Sequence, residues 1–472
     1  MSCGDSSGPG KRGASLRIVS GAGGRDTVQA QPTVPLVVEV RDSTGAKAPQ
    51  GTTVRFTAVP ANSQTGTEML VQNLSSTAYT SFVAAETDAA GRAAVLVMLG
   101  TITGTGRIAI SVPTLSLLDT ARYTILPGNA TRVTILPADT VVYAGRTFTL
   151  RGGIVDRFGN VRTDPVTYTA SPGITVSSAG VVTAPTIGRY TLQASATGLP
   201  GTGSGAVSVV PQGTLTATRP GATGLRIIRV DLDGSNFREL TSVNDGGIGP
   251  SPKWIPGTNT IVYSHYDGTL QLLQTVNENG VVAPFIKNPP STMLHQAIPS
   301  PARSAPVIYF GAHDTRCVGS GYCIHRSAID GSNPELLGTL PQGLPTERLS
   351  SSPDGSRVVF SNGQLRVFDY GSKSVVSFAV TGTSPSWSSD GSLIAYLPFS
   401  SGPINVVNAD GTNARGITAA GRSYASVAMS WSSDSRWLLA KSTTGPLELI
   451  EVATGMALPL GFTGGYGPGS LK

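Results

Sequence analysis

The sequence predicts an all-β protein, and three features of its 472 residues lead there. Glycine and proline, 58 and 33 residues, make up about a fifth of the chain, against roughly 12% in average usage. That excess without a strict period would also fit a disordered chain, but disorder calls for high charge and few β-branched residues. Here only 13% of residues are charged, 39% are hydrophobic, and Val, Ile and Thr fall in short runs. No stretch sustains the 3.6-residue apolar period of a helix over three turns, which argues against bundles, coiled coils and doubly wound α/β sheets. Short strands joined by tight turns that need Gly or Pro satisfy all three features.

A chain of this length is expected to hold two to four domains around separate cores. The formal net charge of +6 comes from 34 Lys and Arg scattered among 28 Asp and Glu, with no basic run longer than Lys11-Arg12. Without a basic stripe interleaved with aromatics, nucleic acid is not an expected partner. The most apolar stretch, Ala93 to Ile102, is broken by Gly100 and falls short of the roughly 20 residues a membrane span needs. The charged and apolar regions of a signal peptide are not seen.

The opening Met1-Ser2-Cys3-Gly4-Asp5-Ser6-Ser7-Gly8-Pro9-Gly10 is small and polar. It resembles the start of a mature bacterial lipoprotein, where a Cys after a small residue is acylated and heads a flexible tether. Ser2-Cys3 matches the last two positions of the lipobox, so the resemblance implies lipidation of Cys3 and a tether over residues 1–13. The other two cysteines, Cys317 and Cys323, enclose five residues of which two are Gly, enough for a loop to return within disulfide range. No second Cys/His pair completes a four-ligand zinc site. A local disulfide is therefore expected, as in an exported protein; a Cys/His metal site with the flanking His313 and His325 is the alternative.

Residues 14–127 carry a strand and turn over Val34-Pro35-Leu36-Val37-Val38-Glu39-Val40-Arg41-Asp42-Ser43-Thr44-Gly45. An alternating strand follows at Thr52 to Ala58, and Thr87-Asp88-Ala89-Ala90-Gly91-Arg92-Ala93 leads into another. This order resembles the bacterial Ig-like domain of the invasin/intimin type. In residues 128–211, strands are expected at Ala144 to Leu150 and Gly188 to Ala194, with a turn at Val155 to Asn160 and a hairpin over Val176 to Ala184. The Gly180-Val181-Val182-Thr183-Ala184 piece resembles a second class of bacterial Ig-like domain. Turn signals every 8 to 12 residues support two β-sandwiches apart from any resemblance. Such domains imply either adhesion or a spacer, and two modules favour the spacer.

Over residues 212–462 the repeat lengthens. Leu232-Asp233-Gly234-Ser235-Asn236, Ile329-Asp330-Gly331-Ser332-Asn333 and Ala409-Asp410-Gly411-Thr412-Asn413 echo one another, with weaker copies at Gly280, Gly371 and Gly455. The spacings are 46, 51, 40, 40 and 44 residues. A second set, Ser251-Pro252-Lys253-Trp254, Ser351-Ser352-Pro353-Asp354-Gly355, Ser386-Trp387-Ser388-Ser389-Asp390-Gly391 and Ser430-Trp431-Ser432-Ser433-Asp434, each precedes a short apolar strand. A unit of 40 to 50 residues with four short strands is a propeller blade. The Trp-Ser-x-Asp-Gly and Asp-Gly-x-Asn pieces resemble the TolB-like β-propeller repeat. Six outer hairpins against five inner ones predict six blades, with five as the alternative. The sixth is closed by residues near 214–222, by the tail after Pro459, or not at all; residues 463–472 are read as a C-terminal tail.

Chemistry is sparsely signalled. Gly4-Asp5-Ser6-Ser7-Gly8 matches a nucleophile elbow but lacks the strand and helix that motif requires. The Asp231 to Gly234 start of a calcium loop ends in Ser242 where Glu is needed, and its sister copies keep only the turn. His265, His295, His313 and His325 carry no metalloprotease or phosphate-loop signature. No catalytic residue, cofactor or metal is predicted. The strongest address for recognition is the insertion at 311–326, with His313, Asp314, Arg316, Tyr322, His325 and Arg326 pinned by the expected bridge. The sequence thus predicts a non-catalytic, exported bacterial envelope protein, anchored by lipid in the periplasm or at the outer membrane or cell surface. Its propeller would bind another envelope protein or membrane-embedded complex, as the TolB resemblance implies, while the Ig-like modules act as spacer. TolB proteins carry a different N-terminal domain, so the resemblance names no partner. The alternatives are a surface adhesin or glycan-binding protein, and a propeller hydrolase or lyase.

Overall fold

A computed structural model describes residues 13–59, 69–221, 224–243, 251–287, 293–299, 307–312, 323–339, 349–427, 429–462 and 469–472, with the backbone course alone for 293–299 and 308–312. The described chain is nearly all β, with a single short 3-10 turn at Pro113–Leu115. It forms two compact units. One is built from residues up to 136 with 151–169 and 193–204; the other comprises 137–150, 170–192 and 205–472. The 128–211 stretch therefore contributes strands to both.

In the first unit two sheets enclose one core. Ser15–Ser20, Leu36–Arg41, Arg92–Met98 and Leu70–Asn73 lie in that order in one sheet. Arg25–Thr27, Leu117–Leu126, Gly104–Val112, Thr53–Ala58 and Phe82–Glu86 form the other. Alternate residues face inward because side chains on a strand repeat every two positions. Val54, Phe56 and Ala58 are buried between the exposed Thr53, Arg55 and Thr57, and they join Leu36, Val38, Val95, Ile108 and Ile110 in the core. The predicted turns are held by aspartate. Asp42 accepts from the Thr44 and Ala46 N–H at 2.8 and 3.1 Å, and Asp88 accepts from Ala90 and Arg92 at 2.8 and 2.9 Å.

Asp156 is a third copy of this turn, but a buried one, at 2% exposure. Its carboxylate accepts from the Phe158 and Asn160 N–H (2.8 and 3.0 Å), the Gly128 N–H (2.9 Å) and Asn160 Nδ2 (2.9 Å). Asn160 in turn donates to the Thr101 carbonyl and accepts from the Thr103 N–H. Burial alone raises the Asp156 pKa, but these donors outweigh it and the net shift is downward.

The second unit begins with Asp139–Tyr143, paired in parallel with residues 206–210. The predicted hairpin forms where Thr175–Val176 pairs antiparallel with Val181–Thr183. From Thr214 on, the described antiparallel ladders fall into six groups of four strands; Ser401–Gly402 pairs apart from them with Tyr424–Ala425, and a parallel bridge from Gln271 to Met293 joins the second group to the third. The first joins Thr214–Gly221, Gly224–Asp231 and Arg238–Val243 to Ser470–Leu471. The second is Lys253–Trp254, Thr260–Tyr266, Gln271–Asn277 and Val282–Pro284. The third is Met293–Pro299, Val307–Ala312, Cys323–Ser327 and Glu335–Thr339. The fourth runs Ser350–Ser351, Arg357–Ser361, Gly363–Asp369 and the first half of Ser374–Trp387. The second half of that long strand opens the fifth, with Leu393–Leu397, Asn405–Asn408 and Arg415–Gly416. Ser430–Trp431, Trp437–Lys441, Leu447–Glu451 and Ala457–Pro459 complete the sixth.

A separate apolar cluster lies between each group and the next, and the last closes on the first. Ile227, Leu240 and Trp254 fill the first gap, and Val262, Phe285 and Val307 the second. Ile324, Phe360 and Phe368 fill the third, Val367, Phe378, Trp387 and Tyr396 the fourth, and Leu397, Val406, Trp431 and Leu438 the fifth. Leu215, Val230, Trp437, Leu449 and Phe462 fill the sixth. Two hairpin glycines show how closely the groups stack. Gly331 (φ +79°) and Gly455 (φ +72°) adopt a left-handed backbone, and an added Cβ would lie 1.8 Å from the Phe285 carbonyl oxygen and 2.0 Å from that of Ile417. The residues near 214–222 and the tail after Pro459, both candidates for closing the repeat, meet in one sheet, with Leu215 opposite Leu471.

Candidate functional site

The first strands of the six groups are neighbours in a closed cycle: Lys253–Trp254, Met293–Pro299, Ser350–Ser351, Ser374–Trp387, Ser430–Trp431 and Ser470–Leu471. A Ser-x-Asp motif explains how three of these strands turn into the next. The Ser388 hydroxyl donates to Asp390 (2.6 Å) and accepts the Leu393 N–H (2.9 Å). Ser432 does the same between Asp434 and Trp437, and Ser352 between Asp354 and Arg357. One hydroxyl that donates and accepts closes a five-residue turn; alanine there would leave the backbone N–H without this acceptor, while each aspartate keeps the N–H two residues on.

A second set of serines ties neighbouring groups together. The Trp387 N–H donates to Ser350 Oγ (2.8 Å), the Leu471 N–H to Ser430 Oγ (3.0 Å) and the Trp254 N–H to Ser470 Oγ (3.5 Å), while Ser386 donates to the Met429 carbonyl (3.1 Å). The Trp431 indole adds a bond to the Ser386 carbonyl at 2.9 Å. The tryptophans pack between groups, each only a few per cent exposed, so they are wedges and not stacking platforms.

These strands and turns line a cavity of about 550 Å³. Its described wall is serine, backbone and tryptophan edge, with Lys253 and Lys472 as the ionisable side chains and no His, Asp or Glu. Lys472 is already engaged, its ammonium 4.7 Å over the Trp254 ring, 3.9 Å from Glu278 and bonded to Asn259 Oδ1. Lys253 has no hydrogen bond or ion pair among the described residues. It is ringed by protein yet half-accessible from the cavity, and burial pushes its pKa down to about 8.

The residues singled out from sequence fall elsewhere or outside the described residues. Cys3, His313, Asp314, Arg316, Cys317 and Tyr322 lie outside them, as does the side chain of His295. Cys323 and His325 are fully buried in Cys323–Ser327, because strand alternation turns both inward, so the His325 side chain is enclosed and does not contribute to an exposed surface. Arg326, on the opposite face, is exposed and paired with Glu335 at 2.7 Å. Asp231 is held by Arg229 (3.1 Å), Thr214 (3.0 Å) and Asn236 (2.7 Å), which suits a turn anchor. Among the described residues no three His, Cys, Asp or Glu converge as metal ligands. Lys253 was legible in sequence only as an anomaly: it precedes Trp254 where Ser386 and Ser430 precede Trp387 and Trp431.

No protein-family model matches the chain, and comparison with curated proteins finds no relative. Among solved structures the chain is similar to TolB from Acinetobacter baumannii, at 14% identity and a TM-score of 0.43, over 65% of this chain and 82% of that one. It is also similar to an oligogalacturonate lyase in complex with manganese, at 12% identity and a TM-score of 0.37, over 67% and 85%. At these levels neither neighbour's activity transfers to this chain.

Proposed function

We propose that residues 212–462, closed by Ser470–Leu471, form a six-bladed TolB-like propeller, and that this exported envelope protein uses it to bind another envelope protein or membrane-embedded complex without catalysis. The cavity chemistry carries the reading. Ser350, Ser386, Ser430 and Ser470 of its wall serve as staples between strands, which accounts for these hydroxyls without a chemical role. The residues before 212 then act as Ig-like spacers, with Cys3 lipidated and Cys317 bridged to Cys323 to pin the 311–326 loop as the recognition element. The test immobilises the full chain and a version with residues 313–322 replaced by Gly-Ser repeats, and compares what each retains from detergent-solubilised bacterial envelopes. Loss of a specific membrane protein from the loop variant, reproduced with that protein purified, supports the reading. Equal retention by both chains refutes it.

A further inference from the structure

We infer that the central cavity is also a binding site for a small carboxylate, seated against the Lys253 ammonium and the hydroxyls of Ser350 and Ser430. Such binding does not depend on the proposed protein-binding loop. An ammonium facing a protein cavity without a counter-charge is costly unless something pairs with it. Among the described residues Lys253 has no such partner, and the other ionisable side chain of the described wall, Lys472, is also cationic. Lys472 spends its charge on Glu278, Asn259 and Trp254, and Glu278 is shared with Arg229 at 3.9 Å and lies outside the cavity lining.

The neutral groups carry the same sign of preference. Ser350 and Ser430 each use their oxygen to accept a backbone N–H from the neighbouring strand, which leaves the hydroxyl hydrogen to donate. The described wall thus offers an ammonium and at least two hydroxyl donors and no Asp or Glu side chain as acceptor. An oxyanion is the complementary ligand. No arginine is among the described lining residues, so the described wall lacks the forked recognition typical of phosphate. One point charge with neutral hydroxyls balances a single carboxylate on a hydroxyl-bearing molecule.

Binding must then follow the charge on Lys253. A group with a pKa of about 8 is almost fully protonated at pH 6.5 and about one-thirtieth protonated at pH 9.5, so affinity should fall about 30-fold between them. The test titrates the full chain calorimetrically with gluconate at both pH values, against inorganic phosphate and chloride at equal ionic strength. The expected result is gluconate binding at pH 6.5 that weakens about 30-fold at pH 9.5 and is lost, with its pH dependence, in Lys253→Met. Equal binding by Lys253→Met, a pH-independent affinity, or phosphate or chloride matching gluconate overturns the inference. Should Lys253→Met not fold, mass-spectrometric mapping of amine acylation on the native chain decides: gluconate must protect Lys253, and unchanged labelling overturns it.

Discussion

Removal of residues 469–472 tests whether the ring of strands is a single cooperative closure. These residues supply the first strand of a sheet whose other members begin at Thr214. The truncation deletes the Lys472 N–H bond to the Thr214 carbonyl (2.8 Å), the Leu471 N–H bond to Ser430 Oγ (3.0 Å) and the Ser470 acceptor of the Trp254 N–H. At about 1 kcal/mol net each, three bonds contribute about 3 kcal/mol. Leu471 also packs on the cluster of Leu215, Ala217 and Leu439, and losing that half-buried side chain adds about 1 to 2 kcal/mol. The expected loss is about 4 to 5 kcal/mol, a large share of the stability typical of a domain. The assay is built into the chain: its four tryptophans are Trp254, Trp387, Trp431 and Trp437, all in the second unit. Urea unfolding followed by tryptophan fluorescence therefore reports that unit alone. A midpoint shift equivalent to less than about 1 kcal/mol would show that the sheets stand without closure and refute the reasoning.

Two further outcomes follow from packing and charge. Gly331→Ala should destabilise the second unit by more than the ~1 kcal/mol of an ordinary glycine substitution, since the methyl group collides with the Phe285 carbonyl while the backbone stays left-handed; the same fluorescence titration reads it, and a neutral result would mean that the hairpin does not press on its neighbour. Acid should weaken the first unit through Asp42, Asp88 and Asp156, all held below the usual carboxylate pKa, the first by the Thr44 hydroxyl, the second by the Arg92 N–H, and Asp156 by its donors despite burial. Because the folded-state values lie below the unfolded ones, their contribution is complete above about pH 5 and lost as pH falls through the folded values. Circular dichroism melts between pH 6 and 2 should show this fall, reduced in Asp156→Asn, and an identical pH profile in that variant would rule the carboxylate out as its source.

What could be read before folding was local. Asp-Gly spacing marked the hairpins, and the alternation of Thr53 to Ala58 marked which side chains face the core, because turn chemistry and strand periodicity act over a few residues. The Trp-Ser-x-Asp-Gly motif was visible as a repeat, although its mechanism, one serine hydroxyl serving an aspartate and a backbone N–H five residues on, emerges only in the folded chain. His325 was misjudged as an accessible group because composition marks a loop as polar without saying which way each side chain points from the strand that follows.

By itself the sequence determined the fold class, the turns and the period of the repeat, since each depends on neighbours within about ten residues. Only the tertiary structure decided how the repeat closes: Thr214 meets Lys472, 258 positions further along the chain, a pairing no local preference encodes. The same long-range closure turned Lys253 from an odd residue in a repeat into an enclosed ammonium with no ion pair among the described residues, because whether an ammonium is solvated or enclosed depends on the strands that come to surround it.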